Sequence, residues 1–126
     1  MSWYKRAQVN ALQEILNRWT SQGIVLSVFE GDDYLTLDSI IIPKGDRKQG
    51  IGTQIMQDLT SYADQVGKLF KLTPGVKGDY QGTTSRNRLV DFYKRNGFVQ
   101  NKGRNKNFQY RADEMYRDPE EKDELV

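Results

Sequence analysis

Two glycines, Gly50 and Gly52, stand between an isoleucine run at 40–42 and a stretch whose apolar residues recur at helical spacing. That junction constrains the chain more than any other feature. The segment Arg47-Lys48-Gln49-Gly50-Ile51-Gly52-Thr53 follows a strongly apolar strand and opens an amphipathic helix. The first turn of a helix leaves backbone N–H groups without intrahelical acceptors, and the macrodipole adds positive character there. Glycines at 50 and 52 remove side chains, so a phosphate can come close to the backbone. Arg47 and Lys48 add formal charge, and the Thr53 hydroxyl adds a donor. Such a loop can hold a pyrophosphate. The same residues also suit a plain strand–helix turn that needs small side chains. It is not a Walker loop, because no Gly-Lys-Ser/Thr follows. It is not the full dinucleotide fingerprint either, since position 55 is Ile.

The rest of the chain reads outward from this junction. Ala7, Ala11, Leu12, Ile15, Leu16 and Trp19 fall at the spacing of an amphipathic helix over 4–20, stopped near Gly23. Residues 24–30 and 34–42 read as strands joined by Gly31-Asp32-Asp33, and Pro43 ends the second. A helix is expected over 51–66, with Ile51, Ile55, Met56, Leu59, Tyr62 and Ala63 inward and Gly67 as its cap. A short strand at 69–73 follows, then a glycine-rich loop over 75–84 and a helix over 85–96 capped by Ser85 and ended by Gly97. Residues 98–100 and 108–116 are expected to form a last strand pair. This order predicts an α/β domain of the α+β kind: a mixed sheet flanked by helices, with a parallel pair in its middle. Residues 1–117 form one domain and 118–126 an acidic, frayed tail.

Absent residue types narrow the chemistry. With neither Cys nor His among 126 residues, disulfides, thiolate sites and imidazole bases are excluded. Acid–base work falls to Asp, Glu, Tyr, Lys or water. A net charge of +2 is too mild to signal nucleic acid as a partner. No apolar run reaches membrane-span length and no signal-peptide pattern opens the chain, so no membrane partner is expected and the cytoplasm is the default location.

Two motifs carry a resemblance to a known family. Arg47-x-x-Gly50-x-Gly52 resembles the Arg/Gln-x-x-Gly-x-Gly/Ala signature of the GNAT family of N-acetyltransferases. Leu89-Val90-Asp91-Phe92-Tyr93-Lys94-Arg95-Asn96-Gly97-Phe98 resembles that family's helix ending in Tyr-x-x-x-Gly-Phe. The likeness spans about residues 24–116. It implies a compact acetyltransferase-type fold with a splayed parallel strand pair, here lacking the family's opening strand. It implies acetyl-coenzyme A as cofactor, its pyrophosphate cradled by Arg47, Lys48, Gln49, Gly50, Ile51, Gly52 and Thr53. Backbone N–H groups near Ile40 and Ile42 would meet the pantetheine and carbonyl. The acetyl group would then pass directly to the amine of a small molecule or protein.

In the same resemblance Tyr93 protonates the departing thiolate; a phenol, neutral at pH 7 and able to donate, suits that role. Tyr93 also fits the apolar helix face as a core aromatic. The family's strand glutamate corresponds to Thr36 here. Strand alternation puts Asp38 on the face of Thr36, Ile40 and Ile42, so Asp38 is the candidate base, with a water chain as the alternative and Glu30 and Asp33 behind it. Asp79 and Tyr80 are placed near the acceptor. Family members often dimerise, so a homodimer is carried as an expectation, although no dimer surface stands out. Two other readings stay open: a catalytically silent binding module for a protein or nucleic acid, and a phosphate loop for another nucleotide.

Overall fold

In a computed structural model, residues 3–43, 45, 50–75, 86–111 and 114–120 are described, with side chains from residue 11 onward. The first element is helix α1, Trp3–Thr20, followed by strands β1, Val25–Glu30, and β2, Tyr34–Ile41. Helix α2, Ile51–Val66, leads to strand β3, Leu69–Leu72. Helix α3, Arg86–Arg95, precedes strands β4, Val99–Gln100, and β5, Met115–Arg117. The strands form one mixed sheet in the order β1-β2-β3-β5-β4. Only β2 and β3 are parallel, and α2 is the crossover between them.

Helix α2 buries Ile55, Met56, Leu59, Tyr62 and Ala63, the stripe its periodicity predicts. Gly67 caps it in the left-handed conformation. These side chains meet Leu35 and Leu37 of β2, Phe70 and Leu72 of β3, Met115 of β5 and Leu12 and Trp19 of α1 in one cluster. Each fully buried large side chain contributes about 1.5–3 kcal/mol relative to exposure. The Asp58 carboxylate fixes α1 on α2, accepting from Trp19 Nε1 at 2.9 Å and Arg18 Nη1 at 2.8 Å.

Strand β2 departs from simple alternation. Ser27 pairs with Ser39 and Val28 with Leu37, so Asp38 is the extra residue of a β-bulge. Leu26 and Val28 share a face of β1, and their partners Ile40 and Leu37 therefore share a face of β2. The expected alternation that puts Thr36 on the face of Ile40 fails for this reason, and Asp38, the unpaired residue, is exposed. The ladder to β3 stops at Leu37, one residue before the bulge. Beyond it β2 pairs only with β1, and the parallel pair is splayed.

The last strand is shorter and later than 108–116. Buried Asn101 donates through Nδ2 to the carbonyls of Asn107 and Tyr110 at 3.1 Å and of Arg111 at 2.9 Å, while its Oδ1 accepts from Asn107 N. That side chain takes the backbone groups a strand would use, so the segment curls into turns and Phe108 is 89% exposed. The chain also stays anchored past Arg117, because Glu120 N donates to Asp64 Oδ1 at 2.8 Å. The expectation of a frayed tail from 118 does not hold at Glu120, and its remainder, 121–126, lies outside the described residues. Among the described residues no helix is long and apolar enough to cross a membrane.

Candidate functional site

Helix α2 begins at Gly50, whose φ of 74° is left-handed and favours glycine. No side chain caps this end, and the first intrahelical bond runs from Gln54 N to the Gly50 carbonyl at 3.1 Å. The amides of Ile51, Gly52 and Thr53 therefore lack intrahelical acceptors and lie at the positive end of the macrodipole. Gly52 serves packing. A β-carbon there would stand 3.3 Å from Phe92 Cζ and 3.4 Å from Ile42 Cδ1. The absent side chain lets the start of α2 close against α3 and the end of β2.

Where these three elements converge lies a cavity of about 380 Å³. Gly50, Gly52 and Thr53 line it from α2, and Ile40 and Ile42 from the splayed end of β2. Helix α3 supplies Arg88, Leu89, Phe92, Tyr93 and Arg95. Two widely separated sequence motifs thus form opposite walls of one space. No carboxylate is among its described lining residues, and two guanidiniums are.

Tyr93 is 5% exposed and held by aromatic neighbours. Its ring lies edge-on to Phe92 at 5.3 Å and to Phe98 at 5.9 Å, and Phe98 in turn meets Phe70 at 5.4 Å. The chain reverses just after α3, with Phe98 N donating to the Tyr93 carbonyl at 3.1 Å and Gly97 N to that of Lys94 at 3.0 Å. The Tyr-x-x-x-Gly-Phe spacing is thus a helix end that stacks its tyrosine on its phenylalanine. Tyr93 is at once core aromatic and cavity wall.

Of the residues expected at the site, Ile40, Ile42, Gly50, Gly52, Thr53 and Tyr93 are brought together. Ile51 packs against the core instead of lining the cavity. Arg47, Lys48 and Gln49 lie outside the described residues, as do Asp79 and Tyr80. Asp38 stands away from the lining. Glu30 is committed elsewhere, accepting from Tyr62 Oη at 2.8 and 2.9 Å and from Lys68 Nζ at 2.8 Å. Burial first, and then this bond to Glu30, push the Tyr62 phenol well above its ordinary value. The Asp33 carbonyl accepts from Leu69 N at 3.3 Å, in the turn that starts β3.

Arg88 and Arg95 were not singled out as site residues by the motifs. Their signal is spacing: with Phe92 they fall at i, i+4 and i+7, one stripe of α3.

A second cluster sits across β2, β3 and β5. Lys71 pairs in register with Thr36 and Tyr116. Its ammonium lies 4.7 Å from the Tyr34 ring centroid, 5.4 Å from that of Tyr110 and 3.9 Å from Glu114 Oε2. That oxygen is buried and has no hydrogen-bond partner among the described residues. Burial, followed by the charges of Asp118 and Glu114, raises the Tyr110 pKa. This group pins the 101–111 segment to the sheet.

No protein-family model matches the chain, and no curated protein matches it at a significant level. Among solved structures the chain is similar to the crystal structure of the anti-CRISPR protein AcrVA5, with a TM-score of 0.57 and 22% identity. The match covers 74% of this chain and 87% of that one. At this identity the likeness bears on the fold alone.

Proposed function

We propose that the chain is an acetyl-coenzyme A-dependent N-acetyltransferase of the GNAT kind, acting on a primary amine of a small molecule or protein. The observation that carries this reading is the single cavity joining the α2 N-terminus, the splayed end of β2 and Tyr93. Its chemistry fits a thioester coenzyme. Backbone amides at the start of α2 receive a pyrophosphate, the apolar Ile40 and Ile42 flank a pantetheine arm, and Tyr93 stands at the far wall.

When bound, acetyl-coenzyme A supplies a thioester carbonyl activated toward attack by an amine. A bond forms from amine nitrogen to carbonyl carbon, and the carbon–sulfur bond breaks. Tyr93 would give its phenolic proton to the leaving sulfur, and the aromatic contacts with Phe92 and Phe98 fix the ring that carries the hydroxyl. The proton lost by the amine passes to water, since Asp38 lies outside the cavity. Release of the thiol form of the coenzyme and reprotonation of Tyr93 from solvent close the cycle.

The test is calorimetric titration with acetyl-coenzyme A of the wild type and of Thr53→Glu. A carboxylate in the first turn favours the helix dipole, so the variant is expected to fold with undiminished stability. The same carboxylate repels a pyrophosphate, so affinity is expected to fall by about tenfold or more. A folded wild type that takes up no acetyl-coenzyme A would overturn the reading.

A further inference from the structure

The sheet order leaves β1 at an edge, paired on one side only. Edge strands that stay single are blunted by lysine, proline or a bulge of their own. Strand β1, Val-Leu-Ser-Val-Phe-Glu, has neither lysine nor proline, and the bulge beside it belongs to β2. Its one charge, Glu30, is taken up by Lys68 Nζ at 2.8 Å and by Tyr62 Oη. On the face opposite Leu26, Val25 and Phe29 are 50% and 52% exposed, and exposed Ser27 stands midway between them. Gly31 N donates to the Tyr34 carbonyl at 2.8 Å, so the backbone of Gly31 turns toward β2. Strand alternation then turns the backbone groups of Val25, Ser27 and Phe29 toward β2 and those of Leu26, Val28 and Glu30 outward. Among the described residues no backbone group pairs with that outward row.

We propose that β1 pairs antiparallel with β1 of a second copy of this chain, about a two-fold axis at Ser27, making one continuous sheet across both copies. The occupant follows from the patch, which complements itself. Val25 and Phe29 lie equally far from Ser27 on one face, so this axis sets Val25 against the partner's Phe29 and Phe29 against the partner's Val25. A β-branched residue opposite an aromatic one is a stabilising cross-strand pair. Leu26 and the partner's Val28, whose backbone groups point outward, exchange hydrogen bonds. Glu30 meets the partner's Ile24, so no like charges stand opposite one another. An axis at Val28 would instead set Phe29 against the partner's Ser27 and Val25 against the partner's Gly31, and both apolar contacts would be lost.

The sequence has no cysteine, so one introduced thiol reports alone. In the proposed register Ser27 opposes the partner's Ser27 as a non-hydrogen-bonded pair, with Cα atoms about 4.5 Å apart and within disulfide reach. Val25 stands about 14 Å along the strand from the partner's Val25, beyond that reach. The wild type is expected to sediment at twice the 14.6 kDa of one chain. On mild oxidation Ser27→Cys is expected to give a covalent dimer on non-reducing gels, at least about tenfold more of it than Val25→Cys gives. Phe29→Lys, with circular dichroism as the folding control, is expected to raise the dimer dissociation constant by about tenfold or more. A folded wild type that sediments as a single chain at about 0.1 mM would overturn the proposal and leave the edge to solvent or to a strand of another protein. A dimer in which Ser27→Cys cross-links no more than Val25→Cys, or which Phe29→Lys leaves intact, would place the interface elsewhere and overturn it too. None of these outcomes bears on acetyl-coenzyme A binding, so the functional reading stands or falls by its own titration.

Discussion

A β-carbon on Gly97 would stand 3.1 Å from Nε and 3.4 Å from Cδ of Arg117. The glycine that ends α3 is thus also the gap through which Arg117 passes to Asp64, where it makes two parallel bonds of 2.8 and 3.0 Å. Both partners are largely buried, with side-chain exposures of 10% and 16%. One residue therefore joins the end of α3, the end of β5 and the last turn of α2.

Gly97→Ala meets two penalties, a φ of 94° and the Arg117 side chain. The expected loss is about 2–3 kcal/mol of unfolding free energy. Gly103→Ala is the control, because its φ of 60° is also left-handed but no atom lies within 4 Å of the added carbon. It should lose only about 1 kcal/mol. Urea titration of the two variants gives the comparison, and equal losses would show that the Arg117 contact contributes nothing.

Tyr93→Phe keeps the ring that packs on Phe92 and Phe98 and removes the hydroxyl. Under the acetyltransferase reading, turnover should fall by about a hundredfold while acetyl-coenzyme A affinity stays within about threefold. Unchanged turnover with a competent amine would remove Tyr93 from the acid role.

Tyr62 donates to Glu30 at 2.8 Å and is raised above the ordinary tyrosine value of 10.0. The folded chain keeps this proton at a pH where the unfolded chain has lost it. Its contribution is therefore complete below about pH 10 and declines as pH rises further. Tyr62→Phe should cost about 2 kcal/mol at pH 7. The gap to wild type should hold up to about pH 10 and narrow as pH rises above it in denaturant titrations. A constant gap would contradict the linkage.

The Lys71–Glu114 pair predicts non-additivity. Lys71→Met removes the cation 3.9 Å from a buried carboxylate oxygen that has no hydrogen bond among the described residues, and about 2–3 kcal/mol of stability should go with it. In Lys71→Met/Glu114→Gln the uncompensated charge is gone, and at least about 1 kcal/mol should return. A double variant as weak as the sum of the single ones would mean that the pair is uncoupled.

The sequence made the helices legible because their apolar spacing and glycine ends are local signals. Helix α2, Ile51–Val66, agrees with its expected bounds, and α3, Arg86–Arg95, is within one residue at each end. The cavity wall was legible as far as local motifs reach: Gly50, Gly52 and Tyr93. What pattern reading missed depends on partners distant in the chain. The bulge is visible only once β1 sets the register against Leu37 and Ser39. The late start of β5 follows from Asn101, one buried amide that binds three carbonyls up to ten residues away. Arg88 and Arg95 line the cavity only because β2 and α2 close its other side, a juxtaposition that spacing along α3 does not carry.

Strand β2 can be regarded as two in-frame segments with one inserted letter. Leu35 and Leu37 read in the first and Ile40 in the second, and excising Asp38 would return the strand to an unbroken alternation with those three still on one face. The deletion therefore threatens neither the core nor the order of the sheet. What the inserted residue supplies is curvature, because a bulged strand bends and twists more than a regular one. A chain shortened by that one aspartate would keep Leu35, Leu37 and Ile40 on one face, while β2 would lose the extra bend between its β3-paired half and the end that lines the cavity.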